Sequence, residues 1–337
     1  MDNELLLYDR IEVIKTTNLK YDLESNAYLS FSGGKDSTIL HHLLDMAIPN
    51  NRIPRVFIDT GIEYNLIRQF VMDMASKDDR FVILKPTVPV KPMLEKYGYP
   101  FKSKQHSHNI ALYQAHKDEF EEVRKVIDTD KSLLKNYDFI HSQPLGIKTL
   151  VKYYYGVRER ERESCTSILI IPKKLKYQMT KECQLKISDQ CCMRLKKEPV
   201  HKWEKQVGRA VAITGMRREE GGTRKLIGGC VLTDKDGQLK KFHPLLVVDD
   251  EWEEWFIKTN NVQVSPIYLP PYNFKRTGCR FCPFSLDLKH QIEVAEKLMP
   301  NEAKAGELIW KPVFDEYRRL NYRLKKTKQL SLLDEEE

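Results

Sequence analysis

No apolar run in the 337 residues approaches the roughly 20 needed for a membrane-spanning helix. The start, Met1-Asp2-Asn3-Glu4, lacks the basic segment and apolar stretch of a signal peptide. Together these absences predict a cytoplasmic protein with no membrane partner. No internal repeat is visible, which excludes a repeat architecture, and the acidic end Asp334-Glu335-Glu336-Glu337 is the one low-complexity segment. Cysteine is absent from Pro283 to Glu337. The seven cysteines upstream, in a chain without a secretory start, read as metal or redox groups rather than a disulfide framework. A Walker A loop is also missing: it needs four residues between its first Gly and a Gly-Lys-[Ser/Thr] string, and here Lys35 is followed by Asp36.

What is present fits a large α/β protein. A hydrophobic content of 41% and a charged content of 31% leave enough apolar material for a sizeable core. The length suggests two domains, or one with additions. The net charge of +8 sits upstream of the acidic end. It is concentrated in Lys173-Lys174-Lys176, Arg194-Lys196-Lys197, Arg217-Arg218 and the run Arg318-Arg319-Arg323-Lys325-Lys326-Lys328. An anionic partner, either a nucleotide or a polynucleotide, and an ordinary solvated basic surface both fit this distribution.

Between residues 27 and 92 the pattern alternates strand and helix. Ala27-Tyr28-Leu29 reads as a buried strand, Arg55-Val56-Phe57-Ile58-Asp59 and Phe81-Val82-Ile83-Leu84 as a second and a third strand, and Tyr64 to Ala75 as a helix. That rhythm predicts a doubly wound, mainly parallel sheet, in which ligands bind at the carboxyl ends of strands. A helical, polar stretch follows to about Tyr155, then a charged, cysteine-bearing region to 200. Ala210 to Gly215 reads as another buried strand, residues 249–260 as a helix, and Pro266 to Pro283 as a proline-rich, cysteine-bearing loop.

Ser30-Phe31-Ser32-Gly33-Gly34-Lys35-Asp36-Ser37-Thr38 is the most informative string. It lies between the first strand and an apolar-spaced helix. Strand, glycine turn and helix set bare backbone N–H groups and the positive helix end against an anion. Gly33 and Gly34 permit close approach, Ser32, Ser37 and Thr38 bring hydroxyls, and Lys35 brings a point charge. Two further motifs fall at strand ends. Asp59-Thr60-Gly61 supplies a carboxylate and a hydroxyl. Gly215-Met216-Arg217-Arg218, followed by Arg224, supplies guanidinium groups suited to bidentate contact with phosphate or sulfate.

The Ser-Gly-Gly-Lys-Asp-Ser string resembles the PP-loop of ATP pyrophosphatases and sulfonucleotide reductases. The three motifs in this order, with His243-Pro244-Leu245-Leu246 and Pro266-Ile267-Tyr268 behind them, resemble the phosphoadenosine phosphosulfate (PAPS) reductase family over about residues 5–285. The resemblance implies a Rossmann-like nucleotide-binding domain over residues 1–265, with a charged helical insertion at about 100–200. Residues 266–337 would form a cysteine loop and helical tail. It also implies that ATP, or adenosine phosphosulfate (APS) or PAPS in its place, binds at Ser30, Ser32–Thr38, Asp59, Thr60, Gly61, Gly215, Arg217, Arg218 and Arg224. Lys35, Asp36, Asp59 and Arg217 would take the catalytic roles, with Mg²⁺ held by Asp36 or Asp59.

Cys191-Cys192 and Gly278-Cys279-Arg280-Phe281-Cys282-Pro283 offer four thiols of the kind that hold soft or borderline metals. Tandem Cys-Cys with a distant Cys-x-x-Cys resembles the [4Fe-4S] pattern of APS reductases, and zinc at the same positions is the alternative. Cys165, Cys183 and Cys230 read as small buried side chains. Reductases of the family attack bound sulfate with a cysteine near the C-terminus, and the cysteine-free tail here cannot supply it. Members without that cysteine resemble DndC of DNA phosphorothioation and the tRNA-thiolating PP-loop enzymes. The resemblance therefore implies ATP cleavage to AMP and pyrophosphate, coupled to sulfur insertion into DNA or tRNA, with sulfur from a cysteine desulfurase-type partner. The alternatives are an APS/PAPS reductase using another thiol, and a silent nucleotide-binding subunit of a modification or defence complex.

Overall fold

The computed structural model describes residues 2–157 and 170–324. Two compact units are built from interleaved chain segments: residues 1–87 with 195–280, and residues 88–194 with 281–337. The stretch expected as an insertion thus belongs to the second unit, together with the C-terminal helices.

The first unit carries the sheet. Its strands are β1 (Ala27–Ser30), β2 (Arg55–Ile58), β3 (Phe81–Leu84), β4 (Val211–Ile213), β5 (Val231–Thr233) and β6 (Leu239–Phe242), in the order β3-β2-β1-β4-β6-β5. All neighbouring pairs are parallel except β5 with β6, so the fold is α/β with a mainly parallel sheet. The chain moves outward from β1 through β2 to β3, then returns to lay β4 on the other side of β1. The order therefore reverses between β1 and β4, the place where parallel sheets open a crevice for ligands.

Alternation along the strands explains the packing. Tyr28, Val56, Ile58, Val82, Leu84 and Ala212 share one face and pack with Val200 and Trp203. The Trp203 ring meets Tyr28 edge-on at 5.3 Å. Helix Lys35–Ala47 joins β1 to β2 and packs against helix Asn3–Tyr21 and helix Asp250–Thr259. The β5–β6 pair was not read from the sequence. Val231 and Thr233 are exposed, and Lys240 and Lys241 interrupt β6, so neither segment shows a buried-strand pattern.

Opposite the ligand end, a charged network closes the sheet. Arg55, fully buried, donates to Asp45 at 2.7 Å, to Asn51 at 2.7 Å and to Nδ1 of His41 at 3.1 Å. Arg80 pairs with the same Asp45 at 2.7 Å and with Asp78 at 2.8 Å. Burial and the neighbouring Arg55 charge lower the His41 pKa from 6.5 to about 4. Burial works against the Asp45 charge, but the hydrogen bond from Arg80 and the charge of Arg55 hold its pKa at about 2.

The second unit is helical. It includes Val90–Tyr97, Lys104–Ala115, Lys117–Thr129, Leu145–Tyr155, Leu288–Leu298 and Pro300–Arg319. His106 is buried and bonded to Tyr153 at 2.6 Å and Gln178 at 2.7 Å, and burial holds its pKa at about 4. Among the described residues, no helix is long and apolar enough to cross a membrane.

The His41 environment sets an acid sensitivity. The folded-state pKa lies below the unfolded value, so the stability from neutral His41 is complete above pH 6.5 and is lost as pH falls towards 4. The loss is at most about 3 kcal/mol. His41→Gln keeps an acceptor for Arg55 and should flatten the fall in urea midpoint across this window. An unchanged slope would count against His41 as its source.

Candidate functional site

The site grows from the carboxyl ends of β1, β2 and β4. Ser30 ends β1, and the chain then turns through Phe31, Ser32 and Gly33 into Gly34, the N-cap of helix Lys35–Ala47. No side chain caps this helix, so its first N–H groups are unclaimed by any capping residue. The hydroxyls organise the loop. Ser37 Oγ accepts from the Ser32 N–H at 3.2 Å and donates to the Gly34 carbonyl at 2.9 Å. Thr38, fully buried, donates to that carbonyl at 3.0 Å, and the Gly34 N–H reaches Ser32 Oγ at 3.3 Å. Gly33 has φ +72°, and a Cβ there would stand 2.7 Å from Val71 and 2.9 Å from Ile67. Both the left-handed turn and the helix behind it require glycine.

Gly215, just past β4, comes equally close. A Cβ on it would lie 2.9 Å from Asp36 Cβ and 3.0 Å from the Asp36 carbonyl. This approach brings the arginine motif to the loop. Arg217 is buried, with Nε 2.5 Å from Asp36, one terminal nitrogen 2.7 Å from Asp250 and the other 3.1 Å from Glu253. Lys35 Nζ lies 3.2 Å from the same Glu253 Oε2 and 5.9 Å from the centre of the Tyr268 ring. Tyr268 Oη also comes within 3.4 Å of where a Gly34 Cβ would stand, and it hydrogen-bonds Thr277.

The charges adjust to this crowding. Burial opposes the Arg217 cation, yet the carboxylates of Asp36, Glu253 and Asp250 outweigh it and raise its pKa. Burial and the Asp36 charge push the Glu253 carboxyl up, against the pull of Lys35 and Arg217. Asp250, paired with Arg217, is held below the usual carboxylate range.

The β2 end contributes its own cluster. Asp59, buried, pairs with Arg68 at 3.0 Å. Thr60 donates its N–H and hydroxyl to Glu63 at 3.0 and 2.7 Å, Gly61 turns the chain with φ +79°, and Lys196 stands 3.7 Å from Glu63. Cys279 forms a backbone bridge with Glu63, and the Arg280 N–H donates to Ile62 at 2.6 Å. One cysteine of the expected metal set is thus fixed beside the Asp59-Thr60-Gly61 turn.

Other expected residues lie further out. Arg218 donates to the Ile227 carbonyl at 2.8 Å and to that of Gly228 at 3.2 Å, holding its own loop. Arg224 pairs with Glu220 at 3.0 Å. Cys191 and Cys192 end the short helix Gln190–Cys192 in the second unit, Cys282 follows in that unit's later segment, and Cys165 lies outside the described residues. Among the described residues, no group of three or more His, Cys, Asp or Glu side chains is gathered to hold a metal ion. Burial raises the Cys183 thiol, while Cys230 Sγ accepts from Arg10 at 3.3 Å.

Glu253, Asp250 and Tyr268 are the site residues the sequence reading missed. The acidic start of helix Asp250–Thr259 was visible as Asp249-Asp250-Glu251 before Trp252, but that pattern is equally a helix N-terminal signal, and Asp249 does cap the helix.

Because Gly215 has an ordinary backbone conformation, Gly215→Ala tests the close approach alone. Overpacking against Asp36 should destabilise the protein by about 1–3 kcal/mol in a urea titration. Wild-type stability in that variant would show that the two loops are not locked together.

A solved PAPS reductase from Candida auris, in a phosphate complex, aligns with a TM-score of 0.42 at 14% identity over 80% of this chain and 87% of that one. The U34-tRNA thiolase NcsA from Methanococcus maripaludis, solved with its [4Fe-4S] cluster, aligns with a TM-score of 0.36 at 14% identity, covering 96% of this chain and 83% of that one. Likeness at these scores carries no functional weight. An uncharacterized protein of Methanocaldococcus jannaschii is 29% identical over 133 residues, which are 37% of this chain and 32% of that protein. The chain therefore spans about a third of the length of that curated relative. The model of the phosphoadenosine phosphosulfate reductase domain matches residues 26–142 and 151–285, including the glycine loop, the Asp59 turn and the arginine motif, and the chain belongs to that family.

Proposed function

We propose that this protein is a PP-loop ATP pyrophosphatase that activates an acceptor for sulfur transfer. The observation that carries the reading is the uncapped N-terminus of helix Lys35–Ala47, with Lys35 and the glycine turn at the β1–β4 crevice. N–H groups at that helix end suit the phosphate chain, and Lys35 adds a cation. An acceptor oxygen attacks the α-phosphorus of ATP. The new P–O bond forms as the bond to the β-phosphate oxygen breaks, and pyrophosphate leaves. The outer sulfur of a persulfide-type donor, supplied by a cysteine desulfurase-type partner, then displaces the adenylated oxygen as AMP, and a second thiol of that partner attacks the inner sulfur, releasing the acceptor with its new sulfur and leaving the donor as a disulfide. Mg²⁺, held by Asp36 or Asp59, would neutralise charge on the leaving pyrophosphate.

A nucleic-acid acceptor, DNA as in DndC-like phosphorothioation or tRNA, is supported by the basic surface. Lys173 and Lys174 are exposed, whereas Arg318 and Arg319 are offset by Glu307 at 2.6 Å and Glu316 at 2.6 Å. One observation favours a second reading, sulfonucleotide reduction. Cys230 Sγ accepts a hydrogen bond from the Arg10 guanidinium at 3.3 Å, which holds that thiol in a fixed place beside a cation.

A pair of assays separates the two. The protein with Mg²⁺ and ATP should release pyrophosphate, faster with DNA or RNA present. Lys35→Met should weaken nucleotide binding by roughly 1.5–3 kcal/mol, the worth of a hydrogen bond to a charged group. Thioredoxin-dependent sulfite release from APS or PAPS, abolished by Cys230→Ser, would replace this reading with the second.

Cys191, Cys192, Cys279 and Cys282 have the donor chemistry of a [4Fe-4S] cluster, and we assign them to one. Bound, it would supply a thiolate-ligated iron site for handling sulfur. Anaerobically purified protein should contain about four irons per chain and show a broad charge-transfer absorption, both lost in Cys279→Ser. Stoichiometric zinc without iron would transfer the four thiols to zinc instead.

A further inference from the structure

Glu253 has a place at this site that neither the motifs nor the family reading assigns. It is 1% exposed, yet one of its oxygens, Oε2, serves both cations of the loop, Lys35 at 3.2 Å and Arg217 at 3.1 Å. Its other oxygen, Oε1, is buried without a hydrogen-bond partner among the described residues. A carboxylate kept for stability alone would have both oxygens satisfied, or would be replaced by an apolar side chain of similar size. Two nitrogens of Arg217 donate to carboxylates, those of Asp36 and Glu253, and the third stands 2.7 Å from Asp250 in an ion pair without a well-aligned hydrogen bond. The arginine expected to meet phosphate is therefore already occupied by anions, and Lys35 shares one of them.

We propose that Glu253 is an affinity-determining residue of the nucleotide site, an internal anion that holds Lys35 and Arg217 until phosphate oxygens exchange with it. This inference rests on the reading of the loop as a nucleotide site. In the empty protein, Glu253 screens two neighbouring cations that would otherwise repel each other in a partly buried place. When a polyphosphate enters, its oxygens offer the same charge with better access to the helix N-terminus. The exchange then costs the ligand part of its gross interaction. Burial and the Asp36 charge both disfavour the Glu253 carboxylate where it stands, which eases its exchange for phosphate oxygens. The same balance makes the exchange feasible. Asp250, exposed at the mouth, and Asp36, at the start of the loop helix, remain on Arg217 and keep it in place.

Glu253→Gln keeps the shape and an acceptor for one cation while removing the competing charge. The test is titration of the full-length wild type and this variant with Mg²⁺-ATP and with inorganic pyrophosphate by calorimetry, with thermal melts alongside. The variant should bind pyrophosphate roughly fivefold more tightly, as expected for removal of one partly screened like charge. A residue with only a structural role would give equal or weaker binding, and that result overturns the inference. Glu253→Asp shortens the reach to both cations and should shift affinity in the same direction by a smaller factor, which keeps the test open if Gln impairs folding. If wild type binds neither ligand, the nucleotide reading fails and this inference with it. If wild type binds and neither variant binds more tightly, the inference fails alone.

Discussion

The approach of Gly215 to Asp36 is the constraint on which the rest of the site depends. It occurs where β1 and β4 lie side by side in parallel and their following loops diverge. Only a residue without a side chain lets the β4 turn meet the start of the loop helix, at 2.9 Å from where a Cβ would stand to Asp36 Cβ. Once the two turns touch, Arg217 reaches Asp36, and helix Asp250–Thr259 contributes Asp250 and Glu253 to the same guanidinium. Backbone geometry thus comes first, and the electrostatics are built on it.

The two ends of the sheet use charge for different purposes. At the amino end, Arg55, Arg80, Asp45 and Asp78 pair at 2.7–2.8 Å, and Asn51 and His41 take up the remaining Arg55 donors. That network is close to satisfied, as a buried network must be if it is to hold a fold together. At the carboxyl end the pairing is incomplete, with a buried Glu253 oxygen lacking a partner among the described residues. Incomplete satisfaction is tolerable where a ligand supplies what is missing, and the crevice at the strand reversal is where a parallel sheet admits one.

Much of this was legible in the chain. Phe81–Leu84 stands where its continuous apolar run predicts, and β1, β2, β4 and the helices Lys35–Ala47 and Asp250–Thr259 fall within a few residues of their patterns. β1, β2 and β4 are largely buried and the two helices bury a stripe, which is what periodicity reports, while β3 is half-buried along its length yet keeps a continuous apolar run. The β5–β6 pair escaped because the edge strand β5 exposes Val231 and Thr233 and its neighbour β6 exposes Lys240 and Lys241, so neither carries a buried-strand signal. Arg218 and Arg224 share the motif of Arg217 but turn to loop carbonyls and to Glu220, since neighbouring side chains on an irregular turn point in unrelated directions. The stretch at about 100–200 reads as an insertion along the chain. In space its residues up to 194 share a compact unit with residues 281–337, because the packing of helices follows proximity rather than order.

By itself the sequence determined the glycine loop between strand and helix, the order of the three strand-end motifs, the four paired cysteines and the lack of a thiol after Cys282. These are local properties, set by residue type and spacing within a few positions. Tertiary structure alone decided that Gly215 abuts Asp36, that Glu253 lies beneath both Lys35 and Arg217, and that Cys279 sits beside the Asp59 turn. Glu253 and Lys35 are 218 positions apart. Nothing in local pattern encodes such a meeting, because it follows from which strands become neighbours in the sheet.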